Sequence, residues 1–398
     1  MKEGWTYKKL GEVCEKSKNI RWEEIDEGNF FSYIDLSSVD RESLSIKNPQ
    51  TITKANAPSR AKQIVNEGDV LFATTRPTLR RVCLIPTSFD GQICSTGFCV
   101  LRPKDNVVPQ WIYYLLQNDK FYHYIEPLQT GASYPAVTDI IVKEYPIQFP
   151  SLSEQLSIVS RLDTTFANID ALKTNAEKQL TEARKLFQAE LAECMRPKEG
   201  WEKKTLGEVC DIYGRIGFRG YTTKDLVSSS KDGAISLSPS NIQDGAMDYS
   251  KLTYISWFKY EESPEIKIYN GDVLLVKTGS SYGKSALVEN LPHEATINPQ
   301  SVVLKNFKID NRFFAYQLRT NVVREEFDKF VSGTAIPTFS QAKLSTVPVY
   351  YPIEKVQHQI ITRLDALSAH VKHLEEVQRK TLAECDALKQ AMLREVFE

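Results

Sequence analysis

Gly4-Trp5, Lys8 and Leu10-Gly11-Glu12-Val13-Cys14 return as Gly200-Trp201, Lys204 and Leu206-Gly207-Glu208-Val209-Cys210, a shift of 196 residues. One short match is weak, so later landmarks decide. Asn66-Glu67-Gly68-Asp69-Val70-Leu71 recurs as Tyr269-Asn270-Gly271-Asp272-Val273-Leu274 at a shift of 203, and Arg161-Leu162-Asp163 recurs as Arg363-Leu364-Asp365 at 202. Order is kept throughout and the shift stays between 196 and 203, so the chain is two copies of one unit. The shift grows by seven between Cys14 and Asn66, which places seven extra residues of the second copy near Tyr213 to Asp232.

The 398 residues hold two domains of ordinary size, and 41% hydrophobic with 25% charged residues is a soluble globular balance. No apolar run approaches the roughly 18 residues that span a bilayer, and Met1-Lys2-Glu3-Gly4-Trp5 lacks a signal-peptide core, so a cytoplasmic protein without membrane contact is expected. Seven scattered cysteines without a Cys-x-x-Cys pair predict neither a disulfide framework nor a zinc site. Cys14 and Cys210 occupy equivalent positions, which suits small buried side chains better than reactive thiols. The net charge of −1 argues against indiscriminate nucleic-acid coating. Between Thr51 and Lys104, however, eight basic residues face three acidic ones, a local excess that can steer a polyanion.

Each copy reads as a mixed α+β part followed by a long helix. Val70-Leu71-Phe72-Ala73 and Phe98-Cys99-Val100-Leu101 read as strands, as do Val273-Leu274-Leu275-Val276 and Val302-Val303-Leu304. A helical stretch follows at 110–116 and at 311–318. From Ser153 to about Met195 there is no Pro or Gly, and apolar residues recur at helical spacing, among them Leu156, Leu162, Phe166, Ile169, Leu172 and Leu180. From about Glu354 to Phe397, Ile360, Leu364, Leu367, Val371, Leu374 and Leu388 fall on a heptad seam. The expected division is therefore 1–150 and 200–351 for the globular parts, with 151–199 and 352–398 for the helices. Each helix would run on the order of 60 Å. A lone apolar stripe needs a partner, and the cheapest one is the other helix, in an antiparallel coiled coil that would act as a ruler between two heads related by a pseudo-twofold axis.

Catalytic chemistry is hard to find. Lys277-Thr278-Gly279-Ser280-Ser281-Tyr282-Gly283-Lys284-Ser285 tempts a phosphate-loop reading, but Gly279 and Gly283 enclose three residues where a Walker A loop needs four. Its counterpart, Thr74-Thr75-Arg76-Pro77-Thr78-Leu79-Arg80-Arg81, has no glycine. What the loops share is hydroxyls and cations directly after a strand, the set that contacts phosphates and base edges. No methyltransferase or nuclease tetrapeptide is present, and the five histidines offer no triad. His370 and His373 flank the apolar seam, which suits solvated positions better than a metal site.

Ser332-Gly333-Thr334-Ala335-Ile336-Pro337, Val347-Pro348-Val349, Pro352 and the helix start Gln357-His358-Gln359-Ile360 resemble a conserved region of the specificity subunits of type I restriction-modification enzymes. Thr130-Gly131-Ala132-Ser133-Tyr134-Pro135, Tyr145-Pro146-Ile147 and Pro150-Ser151-Leu152-Ser153-Glu154-Gln155 resemble it again. The resemblance implies two target-recognition domains, each reading half of a split site in double-stranded DNA, separated by a gap that the helices set. It implies a non-catalytic chain: two methyltransferase subunits would dock on the helices, motor-nuclease subunits can join, and S-adenosylmethionine would belong to the methyltransferase rather than to this chain. Phosphate contacts are then expected from Arg60, Lys62, Arg80, Arg81, Lys277 and Lys284, and base-edge contacts from Thr75, Arg76, Ser280, Ser281 and Tyr282. Thr74, Thr278, Arg215 and Arg219 join them as expected DNA-binding residues. The second copy has Lys355-Val356-Gln357 where the first has Ser153-Glu154-Gln155, which puts a docking role of Glu154 in question. The rival readings are a two-headed coiled-coil scaffold that never meets DNA and an NTP-using enzyme built on the Gly279 loop.

Overall fold

The computed structural model describes residues 4–331 and 337–398, so Ser332 to Ile336 of the quoted motif lie outside the described residues. The chain forms two compact units, Met1–Glu177 with Gln378–Glu398, and Lys178–Val377. The boundaries cut both long helices, Leu152–Cys194 and Glu354–Phe397, so each helix contributes to both units instead of standing as a separate body.

In the first unit the head is closed by its own ends. Thr6–Lys9 pairs antiparallel with Pro146–Phe149 just before the first long helix begins. A four-stranded antiparallel sheet follows the order Cys14–Glu15, Phe98–Pro103, Val70–Ala73, Val82–Leu84. All four residues of Val70–Ala73 are buried, because both faces of this strand are covered. Val70 and Phe72 face a core shared with Trp111, Phe121 and the long helices, and Leu71 and Ala73 face a second core with Ile34 and Val65. A five-stranded mixed sheet completes the head, in the order Lys18–Asn19, Ala61–Ile64, Ile93–Ser95, Phe31–Ile34, Gln50–Ile52.

The second unit repeats this plan. Glu202–Thr205 pairs with Pro348–Tyr351, and the four-stranded sheet runs Asp211–Gly214, Ser301–Lys305, Val273–Val276, Ser285–Leu287. Its strand Val273–Val276 again divides its residues between two cores. The five-stranded sheet differs in one respect. Its order is Leu226–Val227, Tyr254–Ser256, Gly233–Leu237, Ala295–Ile297, Lys267–Ile268. Both sheets hold one parallel pair, Phe31–Ile34 with Ile93–Ser95 and Gly233–Leu237 with Ala295–Ile297. Matching these pairs leaves one unmatched strand per head. Lys18–Asn19 extends one edge of the first sheet, whereas Leu226–Val227, from the region of the seven extra residues, extends the opposite edge of the second.

Internal polar contacts repeat with the sequence. Asp69 accepts from Arg102 at 2.7 and 2.9 Å, and Asp272 from Lys305 at 2.7 Å. The hydroxyl of Tyr114 donates to Asp163 and that of Tyr316 to Asp365, which anchors each long helix to its head. Gln155 accepts from the Val108 amide and donates to the Pro150 carbonyl, as Gln357 does with Asp310 and Pro352. The glutamine is therefore the frame residue. Glu154 is occupied by the Trp5 indole at 2.8 Å, an interaction that Val356 cannot make at the equivalent place. The short helix that meets this glutamine starts in two ways: Pro109 presets the first turn of Pro109–Leu115, while the Asp310 carboxylate caps Asn311–Gln317.

Within each unit the long helices run antiparallel. In the first, Leu162, Phe166 and Ile169 pack with Cys385, Leu393, Val396 and Phe397, and the pairs Arg161–Glu395, Asp170–Lys389 and Lys173–Asp386 set the register. In the second, Phe187, Leu191 and Met195 pack with Ile360, Leu364, Leu367 and Val371, beside Arg184–Glu375 and Glu190–Arg363. Exposed ion pairs contribute about 0–1 kcal/mol each, so apolar burial holds the helices and the charges select the alignment. Leu180 is buried and Leu374 half-buried. Leu388 departs from the expected seam. It is 50% exposed, because the helix advances faster than a strict 3.5-residue repeat and the seam passes from Cys385 to Met392 and Leu393. Leu156 and Leu172 are exposed too.

Candidate nucleic-acid interface

In both heads the loop after the central strand is held by backbone bonds at matching places. In the first, the Thr74 amide donates to Gly97 O at 2.9 Å, Arg76 N to Pro135 O at 2.7 Å, and Ala73 N to Arg81 O at 3.0 Å. In the second, Lys277 N donates to Gln300 O at 2.8 Å, Gly279 N to Pro337 O at 2.9 Å, and Val276 N to Lys284 O at 2.8 Å. The first loop thus leans on Pro135 and Ala136 and the second on Pro337 and Thr338, through the bridges Thr75 to Ala136 and Thr278 to Thr338.

The loop conformation explains the glycine pattern that resembles a phosphate loop. Gly279 and Gly283 have φ of 97° and 80°, and the residues 203 positions earlier, Arg76 and Arg80, have φ of 50° and 54°. One backbone shape requires the left-handed region twice. The second head meets it with glycine, and the first accepts on the order of 1–2 kcal/mol of strain at each arginine. The glycines serve the turn, not a nucleotide.

This loop gathers the rim of the first head. Thr96 N donates to Arg60 O at 2.9 Å, which joins the Arg60 segment to Gly97 and so to Thr74. Arg60, Lys62, Arg76 and Arg80 are exposed, while Thr75 and Arg81 are half-buried. The Arg76 guanidinium lies 4.6 Å from the centroid of Tyr134, a ring that is 68% exposed. Sequence reasoning quoted Tyr134 only as part of a motif. Its signal was an aromatic next to Pro135 in the segment that the basic loop pairs with.

Several expected contact residues are committed internally. Thr74 is buried with its hydroxyl on Gly97 O at 2.9 Å, so it fastens the loop and presents nothing outward. Arg215 is buried as well. Its guanidinium donates to Ile297 O and to the Thr296 hydroxyl, both at 3.1 Å, and burial pulls its pKa below the ordinary value. It pins the longer second interior to the five-stranded sheet, a role that a count of cations cannot distinguish from phosphate binding. Arg219 is half-buried and pairs with Glu265 at 3.3 Å. Arg80 pairs with Asp119 at 2.7 Å and lies over Tyr122.

In the second head Ser280 and Lys284 are exposed, and Lys277, Thr278, Ser281 and Tyr282 are half-buried. Thr278 shares a 2.9 Å hydrogen bond with Thr338, and Tyr282 donates to Asp328 at 2.7 Å with Arg324 over its ring. Burial lowers the pKa of Lys277. The exposed, uncommitted donors of the two rims therefore differ: three cations and a tyrosine on the first, a serine and a lysine beside Gln300 on the second.

Burial pushes the thiols of Cys14 and Cys210 up to about 12, which leaves them protonated and inert. Among the described residues no cluster of three or more His, Cys, Asp or Glu is placed to hold a metal ion, and no helix is long and apolar enough to cross a membrane.

Comparison with known proteins defines the class. The sequence profile described as "Type I restriction modification DNA specificity domain" matches residues 2–182 and again 198–384. The chain belongs to that family, with one domain per repeat. Among curated relatives, the EcoKI specificity subunit of Escherichia coli K12 is 24% identical over 76% of this chain and 68% of its own length. The MjaVIII specificity subunit of Methanocaldococcus jannaschii is 21% identical over 83% and 78%. A solved structure described as the basis of complex assembly and conformational transition of the type I R-M system is 27% identical, with a TM-score of 0.82 over 98% of this chain and 97% of that one. The HsdS subunit from Thermoanaerobacter tengcongensis, also 27% identical, has a TM-score of 0.61 over 100% and 97%.

Proposed function

We propose that this chain is the DNA-recognition subunit of a type I restriction-modification complex, in which each head reads one half of a bipartite site. The observation that carries this reading is the pair of loops at Thr74–Arg81 and Lys277–Lys284. They share a backbone fixed by the same hydrogen bonds, yet present different exposed side chains. A constant scaffold with variable donors is what two different half-sequences require. Family membership supports the same assignment, and it removes the support for the protein scaffold.

Arg60, Lys62 and Arg76 act as phosphate or base contacts of the first head, and Ser280, Ser281 and Lys284 of the second. Arg76, rigid in backbone and backed by Tyr134, is the base reader of the first rim. Two methyltransferase subunits dock on the long helices, where Leu156, Leu172 and Leu388 offer exposed apolar side chains; motor-nuclease subunits join that assembly. S-adenosylmethionine and the methyl-transfer chemistry reside on the methyltransferase, and the complex works in the cytoplasm.

The test is fluorescence anisotropy of the chain, co-purified with its methyltransferase, on duplexes of varied sequence over a salt series. A sequence preference that persists as salt rises is expected, with log affinity falling linearly in log salt. Equal affinity for all duplexes at every salt concentration would overturn the reading.

A further inference from the structure

The second unit holds an open groove that the first has closed. Its two lobes, of about 410 and 700 Å³, share Asp244, Gly245, Arg319, Ser368 and Lys372. One wall is the hairpin turn at Asp244-Gly245, with φ of 48° and 79°, and the other is the second long helix. Arg319 lies between them. Its guanidinium rests against Gly245, where a Cβ would stand 2.3 Å from Nε, and over the rings of Phe187 at 5.2 Å and Tyr316 at 5.7 Å.

Among the described residues, no hydrogen bond or ion pair engages that guanidinium, nor the amine of Lys372, which lines both lobes. Burial pulls the Arg319 pKa below its ordinary value. A desolvated cation without a partner is a site that an anion stabilises. The groove's own carboxylates do not supply one: Glu375 is held by Arg184 at 2.6 Å, and Asp365 and Glu289 are both held by Arg312. Only Asp244 remains, and its charge acts on Arg319 without forming an ion pair, against the two cations Arg319 and Lys372.

At a shift of 202 the first unit has Gln117 for Arg319, Phe166 for Ser368 and Asp170 for Lys372. Phe166 is buried edge-on to Tyr114 at 5.2 Å, Asp170 pairs with Lys389 at 2.5 Å, and the Gln117 amide donates to Tyr113 O at 3.1 Å. Three substitutions thus fill and neutralise the place where the second unit is open and cationic.

We propose that this groove receives one acidic side chain, Asp or Glu, from an apolar-flanked segment of a partner polypeptide, and that it is filled once per chain. Met247, Leu287 and Val371 along the lobes suit the flanking residues. A duplex presents its phosphates on a convex surface, whereas the Arg319 guanidinium is half-buried against the Gly245 turn. The inference stands apart from the reading of the rims, so either can fail alone.

The test uses the full chain. Displayed random dodecapeptides are selected against it, and a labelled winner is titrated by anisotropy into wild type, Arg319→Gln and Ser368→Phe, with circular dichroism melts to confirm folding. Both variants carry residues with which the first unit already folds. Enrichment of a single Asp or Glu beside apolar residues is expected, with one peptide per chain. Affinity should fall tenfold or more in either variant, and equally on Glu→Gln or Asp→Asn exchange in the peptide. Absence of acid enrichment, two peptides per chain, or variants that bind as well as wild type would overturn the proposal. So would an Arg319→Gln chain that loses affinity for an arbitrary duplex while keeping the peptide, since DNA would then be the occupant.

Discussion

The two heads solve one geometric problem with different residues, and the pattern of difference separates frame from readout. The frame is kept position by position: Asp69 with Arg102 and Asp272 with Lys305, Tyr114 with Asp163 and Tyr316 with Asp365, Gln155 and Gln357 on their helix starts. Around the rims the chemistry is rearranged. The first head fixes its loop with Arg80 over Tyr122 of a helix, and the second with Tyr282 of the loop beneath Arg324 of the equivalent helix. Cation and ring have exchanged places. A contact that only stiffens a loop survives that exchange, whereas a contact that reads a base would not. The edge strands, on opposite sides of the two five-stranded sheets, reshape the heads further without touching the frame.

The largest expected effect is in the frame. Asp69→Ala strands Arg102, whose side chain is 13% exposed, and should cost about 3–5 kcal/mol in denaturant unfolding of the first unit. Asp272→Asn should cost less. Burial, the largest influence, raises the Asp272 carboxyl above 3.8 even though Lys305 and the Tyr269 amide lower it. A raised folded value means that the native state holds the proton more tightly than the unfolded chain does, so ionisation of this group costs stability as pH rises through that window. Wild type should therefore lose stability relative to Asp272→Asn between 3.8 and the raised value. Movement in the opposite direction would show that the ion pair outweighs burial.

Next come the glutamines. Gln155→Ala and Gln357→Ala each leave a buried amide and a carbonyl unsatisfied, and each should cost about 1–3 kcal/mol. Closely matched losses are expected from unfolding curves, because both side chains accept from a helix-start amide and donate to a proline carbonyl, Gln155 adding one long bond to Asn106 O; a large disparity would break the equivalence of the two frames. The loops give a smaller, asymmetric pair. Gly279→Ala places a Cβ at φ 97° and should cost about 1–2 kcal/mol, while Arg76→Gly relieves a similar strain and should leave thermal stability nearly unchanged. Equal destabilisation by both would show that the loops do not share a backbone.

Much of the frame was legible in the sequence, because a repeat in the same order and at nearly the same spacing reports any residue whose bond partner also repeats. The strands buried on two faces and both long helices emerged from apolar patterning. Leu388 was misplaced because a heptad count assumes a fixed 3.5-residue period, whereas this seam advances toward Leu393. The rims were harder to read. Composition marks Arg215, Arg80 and Arg76 alike, yet only the folded chain shows that the first anchors a sheet, the second clamps a helix and the third faces outward. Thr74 was lost to the same ambiguity, since a hydroxyl that bonds a carbonyl and one that awaits a phosphate look identical in sequence.

The smallest effects lie in electrostatics. Lys284→Ala should weaken binding to all duplexes alike and lower the magnitude of the salt slope by about 1, leaving the sequence preference in place. A changed preference would move Lys284 from phosphate to base contact.

The most direct measurement is selection of bound sites from a random duplex pool by the chain with its co-purified methyltransferase, in wild type and Arg76→Ala. Wild type should yield two dissimilar half-sequences at one fixed separation, and Arg76→Ala should relax one position in one half while leaving the other half and the separation intact. A single uninterrupted sequence, two halves relaxed together, or no enrichment at all would contradict the division of this chain into a shared frame and two independent readers.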